Sequence, residues 1–355
     1  MIGQRLKVAR AARGLSLRDL EAQIGNRVTA QAIGKYERNE SMPSSGVLIA
    51  LAEGLGVTED FLLSPDELVL EGVEFRKKEG TTRREEAFVE GRTLHLLERY
   101  LAVEEALALQ SVVWDKPWEA PYPVRAVADA ESAARALRTH WGLGIDPIPS
   151  MVELLEERGI KVLSVELDGI DGLTAKVRRK NGDPVPVIVV KESAWSERKR
   201  FTFAHEVGHM VMEVAQGDDP EKAAHRFAGA FLMPPEALWG EIGKRRTSIS
   251  LGELLRLKQL FGASFQCIAY RCHDLQIINQ ATFRKLFGEF TRRGWRSPPY
   301  EEPGAIPPHV ECPRRLERLC FRALAEGVIG EARTAELLGI SVRELTQRMD
   351  EPLSL

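Results

Sequence analysis

His205 and His209 stand four residues apart in "AHEVGH", with Glu206 directly after the first. On a helix, positions i and i+4 share a face about 6 Å apart, so two imidazoles can converge on one Zn2+. A carboxylate beside the first histidine is placed to take a proton from water as that water attacks a peptide carbonyl. A plain amphipathic helix could carry the same pentapeptide, so the third ligand decides more. A catalytic zinc site needs three protein ligands and an open position. Glu213 continues the four-residue ladder, but it stands roughly 12 Å along the axis from His205, too far to share one ion. The stretch "DPEKAAHRFAGAFLMP" (219–234) reads as a second helix with Glu221 and His225 four apart on one face. Those two are rivals for the third position, and Glu221 is preferred. His225, Tyr270 and His273 are the candidates for stabilising an oxyanion, and none of them is singled out.

The elements that must hold these residues can be read from spacing and punctuation. Phe201, Phe203, Ala204, Val207 and Val211 surround the polar line of the first helix with apolar side chains, and Gly208 leaves room for a close neighbour. Ahead of it, "IKVLSVEL", "GLTAKVR" and "PVPVIVV" are short and Val-rich with Gly, Asp or Pro between, which predicts a small three-stranded sheet. Residues 65–82 read as a charged connector. Residues 83–112 carry a helical period without clean heptads, so this helix is expected to pack against a core rather than form a coiled coil.

Composition limits the function classes. The chain has 355 residues, 44% of them apolar and 28% charged, with a net charge of −3. That is the balance of a soluble protein of two or three domains. No apolar run reaches the roughly 20 residues of a membrane span, and the N-terminus lacks a signal-peptide core, so a cytoplasmic location is expected. Cys267, Cys272, Cys312 and Cys320 show no CxxC pairing and read as ordinary thiols. Residues 1–40 nonetheless hold eight Lys/Arg against four Asp/Glu, a local basic face on a near-neutral chain.

That basic face falls on five short helices within residues 1–64. "SLRDLEAQIGNRVTAQAIGKYER" (16–38) has the spacing of a helix, a Gly-containing turn and a second helix. In such a motif the second helix can enter the major groove. Thr29, Gln31 and Lys35 are the groove-facing candidates, and Arg18, Arg27 and Arg38 could touch phosphates. The stretch resembles the XRE (Cro/repressor-like) family, which implies docking to DNA or to a protein partner.

The pairing of "RFTFAHEVGH" with "EKAAHRFAGAFLMP" resembles the ImmA/IrrE metallopeptidase family, over about residues 145–290. The resemblance implies zinc on His205 and His209, Glu206 as general base, and a glutamate of the next helix as third ligand. One departure stands out: many members carry Glu and Asn where this chain has Ala223 and His225. Only Glu221 or His225 could then complete the site. The expected architecture is α+β and multidomain. It comprises a helix-turn-helix domain (1–64), a helical linker region (65–144), a zincin-like metallopeptidase domain (145–290), a Pro-rich linker (291–313) and a helical C-terminal domain (314–355). "RTAELLGIS" in the last segment resembles a small helix-turn-helix, but a packing or dimerisation unit is expected there. The family implies a regulatory protease that cuts an XRE-like repressor and so derepresses stress or mobile-element genes. The alternative is a non-proteolytic transcription regulator, of the kind found in toxin–antitoxin pairs, whose peptidase-like domain senses a ligand or partner. A homodimer is left open.

Overall fold

The computed structural model describes residues 2–63, 68–77, 81–109, 112–166, 170–178, 184–297 and 302–350. The N-terminal helices are α1 (Gly3–Ala12), α2 (Leu17–Gln23), α3 (Ala30–Glu37), α4 (Ser45–Leu55) and α5 (Glu59–Leu63). Ser16 caps α2 in a reciprocal capping box with Asp19, and the Thr29 hydroxyl caps α3 by accepting from the Ala32 amide at 3.2 Å. Between them, Gly25 and Asn26 take positive φ (68° and 55°), which turns the chain sharply. Leu6, Leu20, Ile33, Leu51 and Leu62 close a core among the five helices.

Next come β1 (Val69–Lys77), α6 (Arg83–Ala106), β2 (Tyr122–Val124), α7 (Ala130–His140) and α8 (Met151–Glu157). The strands β3 (Lys161–Val165), β4 (Ile170–Arg178) and β5 (Val185–Lys191) follow. The sheet has four strands in the order β1-β4-β5-β3, not three. Residues 69–77, expected as connector, pair antiparallel with β4 from Val69↔Arg178 to Lys77↔Ile170. Glu71 and Glu74 in "VLEGVEFRK" hid the strand, because an edge strand faces water on one side and tolerates charge.

The remaining elements are α9 (Ser196–Val211), β6 (Met212–Val214), α10 (Pro220–Leu232), α11 (Pro235–Ile242), α12 (Leu251–Phe261), α13 (Phe265–Asp274), α14 (Gln280–Arg292), α15 (Arg315–Ala325), α16 (Glu331–Leu338) and α17 (Val342–Asp350). β6 pairs in parallel with β2. None of the described helices is long and apolar enough to cross a membrane.

The chain divides into two compact units that alternate along it. One comprises residues 1–113, 159–189 and 313–355, and the other residues 114–158 and 190–312. In the first unit, α6 is the hub. Its Leu97, Tyr100 and Leu101 share one core with Leu163 and Val165 of β3, Leu173 of β4, Val187 of β5, and Leu319, Cys320 and Leu337 of α15 and α16. α1 crosses α6 almost backbone to backbone: a Cβ on Gly91 would stand 2.7 Å from the Ala12 nitrogen. α15 and α16 thus pack on α6 within the first unit. In the second unit, α9 lies at the centre.

Candidate metal centre and helix-turn-helix face

α9 is buried on most of its circumference, although it carries several charges. Two of those charges, Glu197 and Arg200, have ionic counterparts within the same unit. Arg200, 2% exposed, donates to Glu311 at 2.6 Å and to the carbonyls of Ile148 and Pro149. Glu197 pairs with Lys258 at 2.9 Å. Glu311 also accepts from the Met151 and Val152 amides at the start of α8. Burial pushes its carboxyl up, opposed by the neighbouring Arg200 and those amides. These contacts fix the rotation of α9 about its axis, and so fix where His205 and His209 point.

α10 brings the next residues. Asp219 caps it by accepting from the Glu221 and Lys222 amides at 3.1 and 3.2 Å, and Pro220 occupies the first turn, where its missing N–H costs nothing. Its apolar face, including Ala223, Ala224, Phe227 and Phe231, turns inward. Gly208 of α9 meets Phe227 so closely that an added Cβ would lie 3.0 Å from the ring. Glu131 of α7 pins the same helix: it accepts from Arg226 of α10 at 2.6 Å and from Arg271 of α13. Burial opposes ionisation of Glu131, but the two guanidiniums outweigh it and hold the carboxyl below its usual range.

The outcome is a triangle of ligand-type atoms. His205 Nε2 and His209 Nε2 are 3.0 Å apart, and the two oxygens of Glu221 lie 3.3 Å from His205 and 3.3 Å from His209. Among the described residues, these three are the group of His, Cys, Asp or Glu able to hold one ion, with all their ligand atoms within 4.8 Å. Ligands at about 2.0–2.1 Å from a tetrahedral Zn2+ stand about 3.3–3.4 Å from one another. The two edges to Glu221, one from each of its oxygens, match that figure, and the His205–His209 edge is 3.0 Å, so the donor types and their spacing fit the ion. His205 is fully buried, His209 is half-buried and the Glu221 side chain is 59% exposed, so the cluster runs from the interior to the surface. Glu206, 3% exposed, follows His205.

The other site candidates are distributed as follows. His225 lies outside the triangle, yet its ring centroid is 4.7 Å from that of His205, and it stacks on Phe201 at 5.6 Å. Tyr270 and His273 pack instead on the aromatic side chains of α14, with Phe283 at 5.1 and 4.8 Å. Glu213 lies on β6, because α9 ends at Val211, so no helical ladder reaches it. Sequence reasoning missed Arg200, Glu311, Glu131 and Arg271. Their only signal was charge inside apolar text, and their charged partners lie 95 or more positions away.

In the N-terminal module, Arg18, Arg27, Thr29, Gln31, Lys35 and Arg38 are all exposed. Gln31 and Lys35 lie on α3, four residues apart. Thr29 spends its hydroxyl on the cap, and Arg38 forms a 2.6 Å pair with Glu40.

Comparison with known proteins bears on both units. Residues 155–273 match the family model described as IrrE N-terminal-like domain, Peptidase_M78, and residues 6–62 match the helix-turn-helix model HTH_3. A SPbeta prophage-derived uncharacterized HTH-type transcriptional regulator, YonR, of Bacillus subtilis (strain 168) is 40% identical over 63 residues. That match covers 18% of this chain and 56% of YonR, so the chain spans about half the length of the curated relative it matches. The polypeptide therefore joins a segment that matches an HTH_3 (XRE-type) helix-turn-helix model to an IrrE/ImmA-like segment that matches the Peptidase_M78 model.

Proposed function

We propose that the chain is a cytoplasmic, zinc-dependent regulatory endopeptidase that binds DNA through its N-terminal module and cuts an XRE-like repressor, derepressing stress or mobile-element genes. The observation that carries this reading is the triangle of His205, His209 and Glu221, whose edges suit one tetrahedral ion. Zinc, when bound there, supplies Lewis-acid polarisation of the scissile carbonyl. Glu206 takes the proton of the attacking water and hands it to the leaving amine, so its carboxylate is regenerated in each turnover. Arg200, Glu311, Glu131 and Arg226 hold the two helices in register. In the N-terminal module, Gln31 and Lys35 face base edges, and Arg18, Arg27 and Arg38 face phosphates.

The test incubates the zinc-supplemented full chain, and Glu206→Gln beside it, with the repressor encoded next to its gene. A discrete product from the wild type, and none from a Glu206→Gln variant that still holds zinc, is expected. A purified protein that takes up no zinc, or a variant that still cuts, sinks the reading. A regulator that cuts nothing is the second reading. It draws on the likeness to YonR, which covers only 63 residues. On that reading, Glu206→Gln keeps its full effect on gene expression.

A further inference from the structure

The peptidase-like unit carries a concentration of positive charge that the metal site does not use. Residues 280–297, "QATFRKLFGEFTRRGWRS", hold five Arg/Lys and one acid, on a chain whose net charge is −3. The loop Lys244-Arg245-Arg246 lies against the start of this segment. The Thr282 hydroxyl donates to the Thr247 carbonyl at 2.9 Å, and the Arg246 amide donates to the Ile277 carbonyl at 2.7 Å.

α14 sorts its residues sharply by face. Thr282, Leu286, Phe287 and Phe290 are buried, whereas Arg284, Lys285, Gly288 and Arg292 are exposed. At about 100° per residue these last four fall within one arc opposite the apolar one, and Arg284 and Arg292 stand about 12 Å apart along the axis. A Cβ on Gly288, in the middle of that arc, would touch nothing, so the face is open to a flat partner. The acid of the segment, Glu289, is engaged by both Arg292 and Arg293. Lys244, Arg245, Arg284 and Lys285 form no ion pair among the described residues.

We propose that this face docks on the phosphate backbone of duplex DNA, as a contact separate from the helix-turn-helix. Duplex DNA offers one negative charge per about 1.7 Å of axis and is bound through charge alone. A protein partner would need an apolar patch inside a polar rim, and the apolar positions of α14 point into the core. The contact reads no bases. It raises affinity for any duplex and makes that affinity steeply dependent on salt.

The experiment measures binding of the zinc-supplemented full chain to a fluorescent 30-base-pair duplex of mixed sequence, from 50 to 200 mM salt. Each lost phosphate contact lowers the slope of log K against log salt by about 0.9. The triple variant Arg284→Gln, Lys285→Gln, Arg292→Gln should therefore lose about 2.7 from the slope. Over that fourfold rise in salt, the wild type should weaken about 40-fold more than the variant. Lys244→Gln with Arg245→Gln, in a loop outside any helix, should lose about 1.8 and stands in should the triple variant melt early. Thermal melts and zinc content, both unchanged, show that the fold is intact. Unchanged salt slopes in both variants overturn the proposal. So does a variant that binds DNA as before but no longer engages the repressor, which would make the face a protein-docking surface.

Discussion

Gly208→Ala tests how tightly α10 presses on α9, and whether that pressure sets the metal site. In an isolated helix the exchange stabilises by about 0.8–1.0 kcal/mol, because glycine loses more backbone entropy than alanine. Here the new Cβ would stand 3.0 Å from Cδ1 and 3.2 Å from Cγ of Phe227, and 3.4 Å from Cε of Met212. Carbon pairs rest at about 3.5–4.0 Å, so Phe227 must retreat by about half an ångström. Phe227 is fully buried and stacks on Phe231 at 5.7 Å, which leaves it little room. Overpacking of this kind costs about 1–3 kcal/mol. The two effects nearly oppose, so the metal-free variant should lose only about 0–2 kcal/mol. The site should feel the change more than the fold does. Phe227 follows Glu221 on the same helix, and a shift of half an ångström is large against edges of 3.0–3.3 Å. Zinc affinity should fall about 10–100-fold, the loss usual when the groups that orient metal ligands are disturbed. Competition against a chromogenic chelator reads the affinity, and thermal melts of the metal-free protein read the fold. A variant stabilised by about 1 kcal/mol with undiminished zinc affinity would refute the close approach and the transmission together.

Two further outcomes follow from buried charge. Burial raises Glu98 to about 7, despite Arg5 at 3.2 Å, so between about 4.5 and 7 the folded state keeps a proton the unfolded chain has lost, and stability falls as pH rises. Burial, aided by Arg99, Arg92 and Arg13, lowers His95 to about 4, so between about 4 and 6.5 stability rises with pH. The opposed slopes cancel over most of that range, and Glu98→Gln should unmask the histidine. Relative to wild type, its stability should decline as pH drops from 6.5 to 4, by at most about 3 kcal/mol, and superimposable melting profiles would discard the assignment. Glu311→Gln leaves Arg200 buried without a counter-charge and should cost about 3–5 kcal/mol in urea unfolding, with a loss below 1 kcal/mol counting against the clamp on α9.

What could be read from the chain depended on how local its cause was. The five N-terminal helices carry their own caps and turns in Ser16, Thr29, Gly25 and Gly56, so local text was enough to find them. His205, Glu206 and His209 share one helix and were legible as a motif. Glu221 was harder, because its meeting with the two histidines depends on Gly208 admitting Phe227 and on Glu131 bridging Arg226 and Arg271. None of those contacts has a local signature. β1 was invisible for a related reason: its partner β4 begins about a hundred residues later, and its own glutamates read as solvent-facing connector.

The hub role of α6 has a consequence for synthesis. The five N-terminal helices close a core of their own and can fold as soon as they emerge. α6 ends at Ala106, but its core is completed only by Leu319, Cys320 and Leu337, after the chain has crossed between the units four times. At about 5–20 residues per second, the ribosome needs roughly 10–50 s to deliver them. During that interval Leu97, Tyr100 and Leu101 lack their last cover, while the helix-turn-helix pair α2 and α3 is already formed. A message cut short before residue 315 would therefore release a folded DNA-binding module tethered to an open apolar helix, the kind of surface that chaperones and proteases find.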